Sequence, residues 1–439
     1  MSNNRKWLVA ILALSVALRL GVSLYLGDAV VKLPGVTDQL SYHNLAIRVM
    51  DGHGFSFGEP WWPVTAANAP TAHWSYLYTY YLVVVYKIFG VHALAARLIQ
   101  SLVVGILQPL LVYWIGKRLI NAQAGLAGAL ITAVYGYFIY YAGTLMTEPF
   151  YITGILAVLY VAIMWALDTA SASKALRYGL ILGLLAVATI LMRQLFLLVM
   201  PFILLWIAWV KLRQKQSALL GVAASVVIIG LVILPFTLFN YQRFDRFVLL
   251  NTNAGFAFFW GNLPQYGTEF EPIMTAETGN YLSVIPEKYR GLDEAALDQA
   301  LLGEGLKNIL ADPLRYILLS VSRIPHYFMF WPSSSSGLIS NLTRVGSFGL
   351  FLPFMLYGLY LWLSNRISEA KRSIEHPLFF LLLFAVVYTG IHIFTWTLVR
   401  YRLPVDAVMI LFAGVSLIDI GRRFWMQRNK ARNEPMLSR

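Results

Sequence analysis

The chain contains no cysteine, so neither disulfides nor thiolate metal ligands enter its design. Charge is scarce as well: 13% of the 439 residues are charged against 59% hydrophobic. A soluble domain of this length has a different composition, and the mean hydropathy of +0.65 points the same way. Acidic residues are the scarcer sign, 21 against 34 basic, for a net charge of +13. In a soluble protein that excess would suggest nucleic acid. In a membrane protein, Lys and Arg of cytoplasmic loops account for it, and no nucleic-acid partner is expected. The chain also lacks an internal repeat, which counts against a transporter or flippase built from symmetry-related halves. Low-complexity tracts are missing too, SSSS (333–336) reading as a loop.

What is abundant is apolar runs of about 20 residues, the length an α-helix needs to cross roughly 30 Å of hydrocarbon. The first, Trp7 to Leu26, follows Arg5 and Lys6; it is too long for a signal-peptide core and has no small-residue cleavage pattern, so it reads as a retained helix. Twelve candidate spans follow from hydropathy: 7–26, 74–90, 97–117, 121–141, 149–168, 175–192, 194–211, 217–239, 314–331, 344–364, 377–396 and 402–420. If all crossed with the N-terminus inside, Lys117/Arg118, Lys174 and KLRQKQ (211–216) would fall outside, against the positive-inside rule. Laying 74–90 and 314–331 along the interface moves those clusters inside, with NRISEAKR (365–372) and the tail GRRFWMQRNK (421–430). Both segments are rich in Tyr, Trp, His or Arg, which favour the headgroup boundary. The expected fold is therefore an all-α polytopic membrane protein of about 10 transmembrane helices (range 10–12) plus external juxtamembrane helices.

This topology divides the chain into a transmembrane module 1–240 with an external loop 27–96, an external loop 241–343 with amphipathic helices, C-terminal transmembrane helices 344–420 and a basic cytoplasmic tail 421–439. Within the second loop, 291–310 has helical amphipathic spacing. Asp38 and Glu148 face one compartment from different loops. Each has a bland alternative as a helix cap, Glu148 standing just before Pro149 and Asp38 opening a short helix over 41–50. Arg193 in LMRQLF and Arg400 and Arg402 in VRYRLPV gather on the same face. Ionisable groups at membrane depth are functional candidates, and a guanidinium fork suits phosphate; snorkelling anchors are the alternative. Arg19, within the first helix, could pair with an acid such as Asp28 or Glu148, which the sequence alone does not decide. His73, His326 and His392 read as interfacial histidines. Carboxylates beside arginines at the lipid boundary can take a proton from an attacking hydroxyl and stabilise charge on a phosphate leaving group, which is the chemistry of sugar transfer.

The order of motifs resembles the GT-C superfamily, in the branch of glycosyltransferase family 39, bacterial aminoarabinose transferases and protein O-mannosyltransferases. The likeness runs from TDQLSYHNLAIRVMDGHGF (37–55) through NAPTAHWSYLYTYYL, GTLMTEPF, GLLAVATILMRQ and the stretch after Leu234 to VRYRLPV. The resemblance implies an integral-membrane inverting glycosyltransferase that moves a sugar from a polyprenyl-phosphate donor to a hydroxyl on a glycolipid, glycan or protein, at the extracytoplasmic face of a bacterial inner membrane. It assigns Asp38 and Glu148 to catalysis and Arg193, Arg400 and Arg402 to the donor phosphate. His43, His73, Tyr42, Asn253 and Asn262 are further candidates for substrate or ion. A divalent cation, Mg or Mn, held by Asp38 and Glu148, is the one cofactor this reading allows. The family usually carries an acidic pair where this chain has Asp38 and Gln39, and a further Glu where it has Asn68 and His73. The competing readings are a lipid or polysaccharide transporter, and a glycan polymerase or ligase with a diphosphate-linked donor.

Overall fold

The computed structural model describes residues 3–33, 35–169, 171–272, 281–334, 336–364 and 374–433. The expected basic run 365–372 lies outside them, as does the end of the tail. The first long helix, α1 (Asn3–Leu26), is followed outside the bundle by two short helices, α2 (Asp38–Met50) and α3 (Tyr76–Phe89). Then come α4 (Ala93–Leu119), α5 (Ala122–Val134), α6 (Gly136–Ala142), α7 (Glu148–Leu167), α8 (Ala172–Met192), α9 (Met200–Arg213) and α10 (Leu219–Phe244). The second external segment holds α11 (Ala254–Gly261), α12 (Glu294–Ala311) and α13 (Pro313–Tyr327), and the chain ends with α14 (Leu338–Arg344), α15 (Leu350–Leu363), α16 (Pro377–Phe394) and α17 (Leu403–Asn433).

Among the described residues nine helical stretches are long and apolar enough to cross a membrane, or ten if α5 and α6, bent by 55° at their junction, form one span. These ten match, segment for segment, those expected once 74–90 and 314–331 are set aside. Both of these are helical but short: the 14 residues of α3 span only about 21 Å, and α13 has 15 residues. The chain is a multi-pass membrane protein. The amphipathic reading of 291–310 corresponds to α12, whose Asp293 side chain caps the helix by accepting from the Ala296 amide.

Lipid tails are as apolar as leucine, so the spans are held by close backbone approach rather than by hydrophobic segregation. Small residues mark these approaches. A Cβ on Gly179 of α8 would collide with the backbone of Gly221 on α10, and one on Gly116 of α4 would meet Gly125 of α5 at 2.8 Å. Buried arginines are satisfied by carbonyls. Arg19 is fully buried and donates to Ser15, to the Thr132 and Ala133 carbonyls and to Gln108, so its partners are neither Asp28 nor Glu148. Asp28 instead accepts from the Leu94 amide at the start of α4.

Outside the bundle, α2 and α3 pack on each other through Tyr42, Trp74 and Tyr78. Arg97 and Arg243 reach into this layer, Arg97 to the Gly27 and Ala29 carbonyls and Gln39, Arg243 to the Phe55 and Thr71 carbonyls and the Tyr76 hydroxyl. The two external segments are tied by Glu294, whose carboxylate accepts from Thr65 Oγ1 at 2.6 Å, the Ala72 amide at 2.8 Å and Thr252 Oγ1 at 2.5 Å.

Substituting Gly179 by Ala forces α8 and α10 apart. The expected loss is about 1–3 kcal/mol of stability, read as a lower midpoint of thermal unfolding in detergent; Gly230, with open space at its Cβ, is the control that leaves the midpoint unchanged.

Candidate active site

Four segments far apart in sequence meet where the spans end. Asp38 is the first residue of α2, Glu148 the first of α7, Arg193 the residue that ends α8 in extended conformation (φ −150°, ψ 114°), and Arg400 lies in a short 3₁₀ turn before α17. Their charges interlock. Arg400 Nη2 lies 2.9 Å from Asp38 Oδ2, and its Nε 3.6 Å from Glu148 Oε1. Arg193 pairs with the same Glu148 Oε1 through Nη2 and donates from Nε to Thr147 Oγ1 at 2.9 Å. Two carboxylates and two guanidiniums thus form one chain of opposite charges.

The helix-cap alternatives fit this geometry poorly. Thr37, not Asp38, occupies the cap position of α2, and no side chain makes a capping bond there. Asp38 and Glu148 still gain from the positive end of their helices, but their partners are arginines. Tyr401 lies beneath both guanidiniums, 5.5 Å from Arg193 and 5.4 Å from Arg400, and is itself stacked on His392 at 4.8 Å. Burial alone would raise the Asp38 carboxyl; the Arg400 charge and hydrogen bond, helped by Arg193, outweigh it and hold the group below the usual carboxylate range. Asp38 is therefore an anion in the folded protein.

Exposure separates the members. The side chains of Asp38, Arg193 and Arg400 are 26%, 21% and 13% exposed and reach a surface, while Glu148 is at 2%. Two polar atoms in the cluster carry no hydrogen bond, Glu148 Oε2 and Arg400 Nε. A buried oxygen of this kind costs free energy unless a further group satisfies it.

Other expected residues lie elsewhere. Arg402 is fully buried beside Asp406, with Nε 2.9 Å from Oδ1, and donates to the Tyr327 carbonyl; its guanidinium covers the Phe348 ring. It thus faces the interior, and the assignment to donor phosphate is corrected to a structural one. The 3₁₀ turn explains the divergence, since at three residues per turn positions two apart point in different directions. Asn262 is also buried, donating to the Phe258 carbonyl and accepting from Arg323. His43 hydrogen-bonds Tyr86, so it braces α2 on α3. Asn68 takes a hydrogen bond from Arg48, and Gln39 is engaged by Arg97, so neither replaces the family's extra acids.

His73, Tyr42 and Asn253 stay near the cluster. His73 has Nδ1 3.0 Å from the Thr252 carbonyl, and Asn253 Oδ1 accepts from Gln194, the residue after Arg193. Burial pushes the His73 imidazole down, against the pull of Glu294 and Asp38, leaving it neutral. Tyr42 feels Asp38, Arg193 and Glu148.

The cofactor expectation does not fit this donor set. Both carboxylates are committed to guanidiniums, and among the described residues no group of three or more His, Cys, Asp or Glu side chains is arranged to hold a metal ion.

Sequence reasoning missed Glu294 and Asp406. Glu294 falls on the buried stripe of α12 with Leu297 and Leu301, a spacing that marks an acid on the wrong face of an amphipathic helix. Asp406 lies four residues after Arg402, the separation at which helical side chains meet.

The α11–α12 contact carries a pH-sensitive group. Burial raises the Asp298 carboxyl to about 7, against hydrogen bonds from the Phe256 and Gly255 amides. A folded value above the unfolded one means stability present at acid pH and lost as pH rises toward about 7. The Asp298→Asn variant should lose that dependence, checked by hydrogen exchange of the 254–261 amides at pH 5 and pH 8.

The family model described as dolichyl-phosphate-mannose-protein mannosyltransferase matches residues 74–238. The archaeal oligosaccharyltransferase AglB from Archaeoglobus fulgidus, in complex with an inhibitory peptide and a dolichol-phosphate, shares the fold with a TM-score of 0.58 at 15% identity, covering 100% of this chain and 53% of that one. The same organism's oligosaccharyltransferase in complex with Zn and sulfate gives 0.55 at 15% identity, covering 94% of this chain and 49% of that one. ArnT from Cupriavidus metallidurans bound to undecaprenyl phosphate gives 0.48 at 15% identity, covering 96% and 62%. No curated protein matches the chain. The chain spans about half the length of the archaeal enzyme. In its fold, and in the family match over residues 74–238, the chain is similar to membrane glycosyltransferases of the GT-C type.

Proposed function

We propose that the protein transfers one sugar from a polyprenyl-phosphate donor to a hydroxyl acceptor on the extracytoplasmic face of a bacterial inner membrane. The observation that carries this reading is the convergence of Asp38, Glu148, Arg193 and Arg400 at one partly open end of the spans. The family match and the dolichol-phosphate bound by AglB support the donor class.

In the ligand-free protein each guanidinium is neutralised by a carboxylate. A donor phosphate brings its own anionic oxygens to the planar forks of Arg193 and Arg400 and competes with the acids for them. Drawing Arg400 toward phosphate frees Asp38 from its 2.9 Å ion pair. The Asp38 carboxylate, still at the mouth, then accepts the proton of the acceptor hydroxyl. The acceptor oxygen bonds to the anomeric carbon, the bond from that carbon to the phosphate oxygen breaks, and its electron pair stays on the lipid phosphate. The displacement inverts the anomeric centre. Arg193 and Arg400 take up the charge that grows on phosphate. Glu148, almost inaccessible, holds Arg193 in place and offers its free Oε2 to the incoming donor or acceptor. Because the residues do not fit a divalent ion, no step runs through one.

Purified protein supplied with a radiolabelled polyprenyl-phosphate sugar in detergent should form labelled product or release free sugar. The Asp38→Asn variant should lose about 10²–10⁴ in rate while remaining folded; full activity would remove Asp38 from the chemistry. Arg400→Ala should raise the KM for donor more than for acceptor in folded protein. Arg402→Ala should instead act on the fold, destabilising it by about 3–5 kcal/mol because buried Asp406 loses its charge partner and keeps only the Tyr135 hydroxyl. Activity is expected to survive EDTA, and its loss would mean that Asp38 and Glu148 leave the arginines for a metal.

A further inference from the structure

At the end of the bundle opposite the Asp38–Arg400 cluster, a cleft of about 730 Å³ opens between the start of α1, the start of α5 and the last turns of α17, with Trp7, Leu130, Leu417, Arg422 and Trp425 among its walls. A smaller one of about 290 Å³ lies on the other side of the first turn of α1, walled by Arg5, Tyr113 and Lys117. Asn4 belongs to both, so the α1 terminus stands as a partition between two adjoining spaces. The larger volume is in the range of ligand clefts, roughly 300–1,000 Å³.

Three features on this surface agree. The first is charge. Arg5, Lys117 and Arg422 line the two clefts, and no acidic residue does. Three further basic residues at this end are neutralised, Lys174 by Asp168, Arg213 by Glu375 and Arg423 by Asp419. Among the described residues the three at the clefts meet no carboxylate; Arg422 donates only to the Gln123 side chain, at 3.2 Å. The second is depth. Trp7 and Trp425 are 60% and 64% exposed at the mouth of the larger cleft. Indoles of this kind settle at headgroup level, which puts Arg422 and Arg5 there too. The third is the lining below them, Ile11, Leu126, Leu130 and Leu417, which is apolar and continuous with the lipid-facing surface of the spans.

We propose that these clefts form a binding site for an anionic phospholipid, its phosphate held among Arg5, Lys117 and Arg422 and an acyl chain lying in the apolar part of the larger space. Basic pockets between helices on the cytoplasmic side of membrane proteins have this chemistry. The site is independent of the transferase reading: it lies at the other end of the spans and uses none of the residues proposed for catalysis.

The test uses full-length protein in nanodiscs of phosphatidylcholine doped with a minor fraction of phosphatidylglycerol, with the lipid retained after delipidation counted by native mass spectrometry. Wild type should hold phosphatidylglycerol in preference to phosphatidylcholine. Each of Arg5→Gln, Lys117→Gln and Arg422→Gln should lower that preference by about fivefold, and the triple variant should abolish it. Ala127→Trp, which fills the larger cleft without changing charge, should also release the lipid, whereas Arg423→Gln should not. Unfolding midpoints in pure phosphatidylcholine show which variants remain folded, and one folded variant of each kind suffices. Retention of the preference in the folded triple variant or in the folded Ala127→Trp protein would overturn the proposal. So would displacement of phosphatidylglycerol by inorganic phosphate, since the site would then serve a free anion.

Discussion

Around the chain Asp38–Arg400–Glu148–Arg193 the rest of the external layer is organised. A unit charge moved out of water costs several kcal/mol even after relaxation, and one neighbour of opposite sign at 4 Å returns about 4 kcal/mol at an effective dielectric of 20. A single pair would therefore break even at best. Linking four charges lets Arg400 see Asp38 and Glu148 and lets Glu148 see both guanidiniums, so the inner members are compensated twice. The arrangement holds only if the starts of α2 and α7, the end of α8 and the turn before α17 are brought to one point. The struts that do so are uncharged or carbonyl-bound contacts: Gln194 to the Asn251 backbone and Asn253, Arg97 to the loop before α2, and Glu294 to both external segments.

Arginine in this protein has two distinct uses, told apart by partner and exposure. Arg19, Arg97, Arg323 and Arg402 are completely buried, and backbone carbonyls take most of their protons. Such residues staple helix ends and loops whose carbonyls would otherwise lie unpaired in a medium without water. Arg193 and Arg400 are partly exposed and bonded chiefly to carboxylates. A ligand anion can compete for the second kind and not for the first.

That distinction decided what could be read in the sequence. Span count and the demotion of 74–90 and 314–331 were legible because length, aromatic content and the sidedness of Lys and Arg are one-dimensional properties. The meeting of Asp38 with Glu148 and Arg193 was legible for the same reason, since residues at the same ends of successive spans share a compartment. Which residue of VRYR points into the cluster was not, because that depends on a 3₁₀ turn that sends Arg400 to Asp38 and Arg402 to Asp406. Nor could local composition show that His43 would be spent on Tyr86, or that Asp51 and His53, so close to Asp38 in sequence, would lie exposed beyond the end of α2. Proximity along a loop says little once the loop turns at Gly52 and Gly54, both at positive φ.

The stoichiometry of the cluster bears on the donor. Its two guanidiniums are balanced by two carboxylates, so the ligand-free site is neutral overall and stable without a bound anion. On the proposed reading, a lipid monophosphate linked to a sugar adds one negative charge to this neutral site as it competes with the carboxylates for the two forks. A diphosphate would bring further negative charge beside Glu148, which is 2% exposed and has a free oxygen already short of a donor. Two further arginines of this face, Arg243 and Arg323, are committed to backbone and to Asn240 and Asn262 and cannot turn to meet it without unpairing those groups. Charge balance alone thus favours a donor with one phosphate, and it does so through the same interlocked acids and arginines that hold the external layer together.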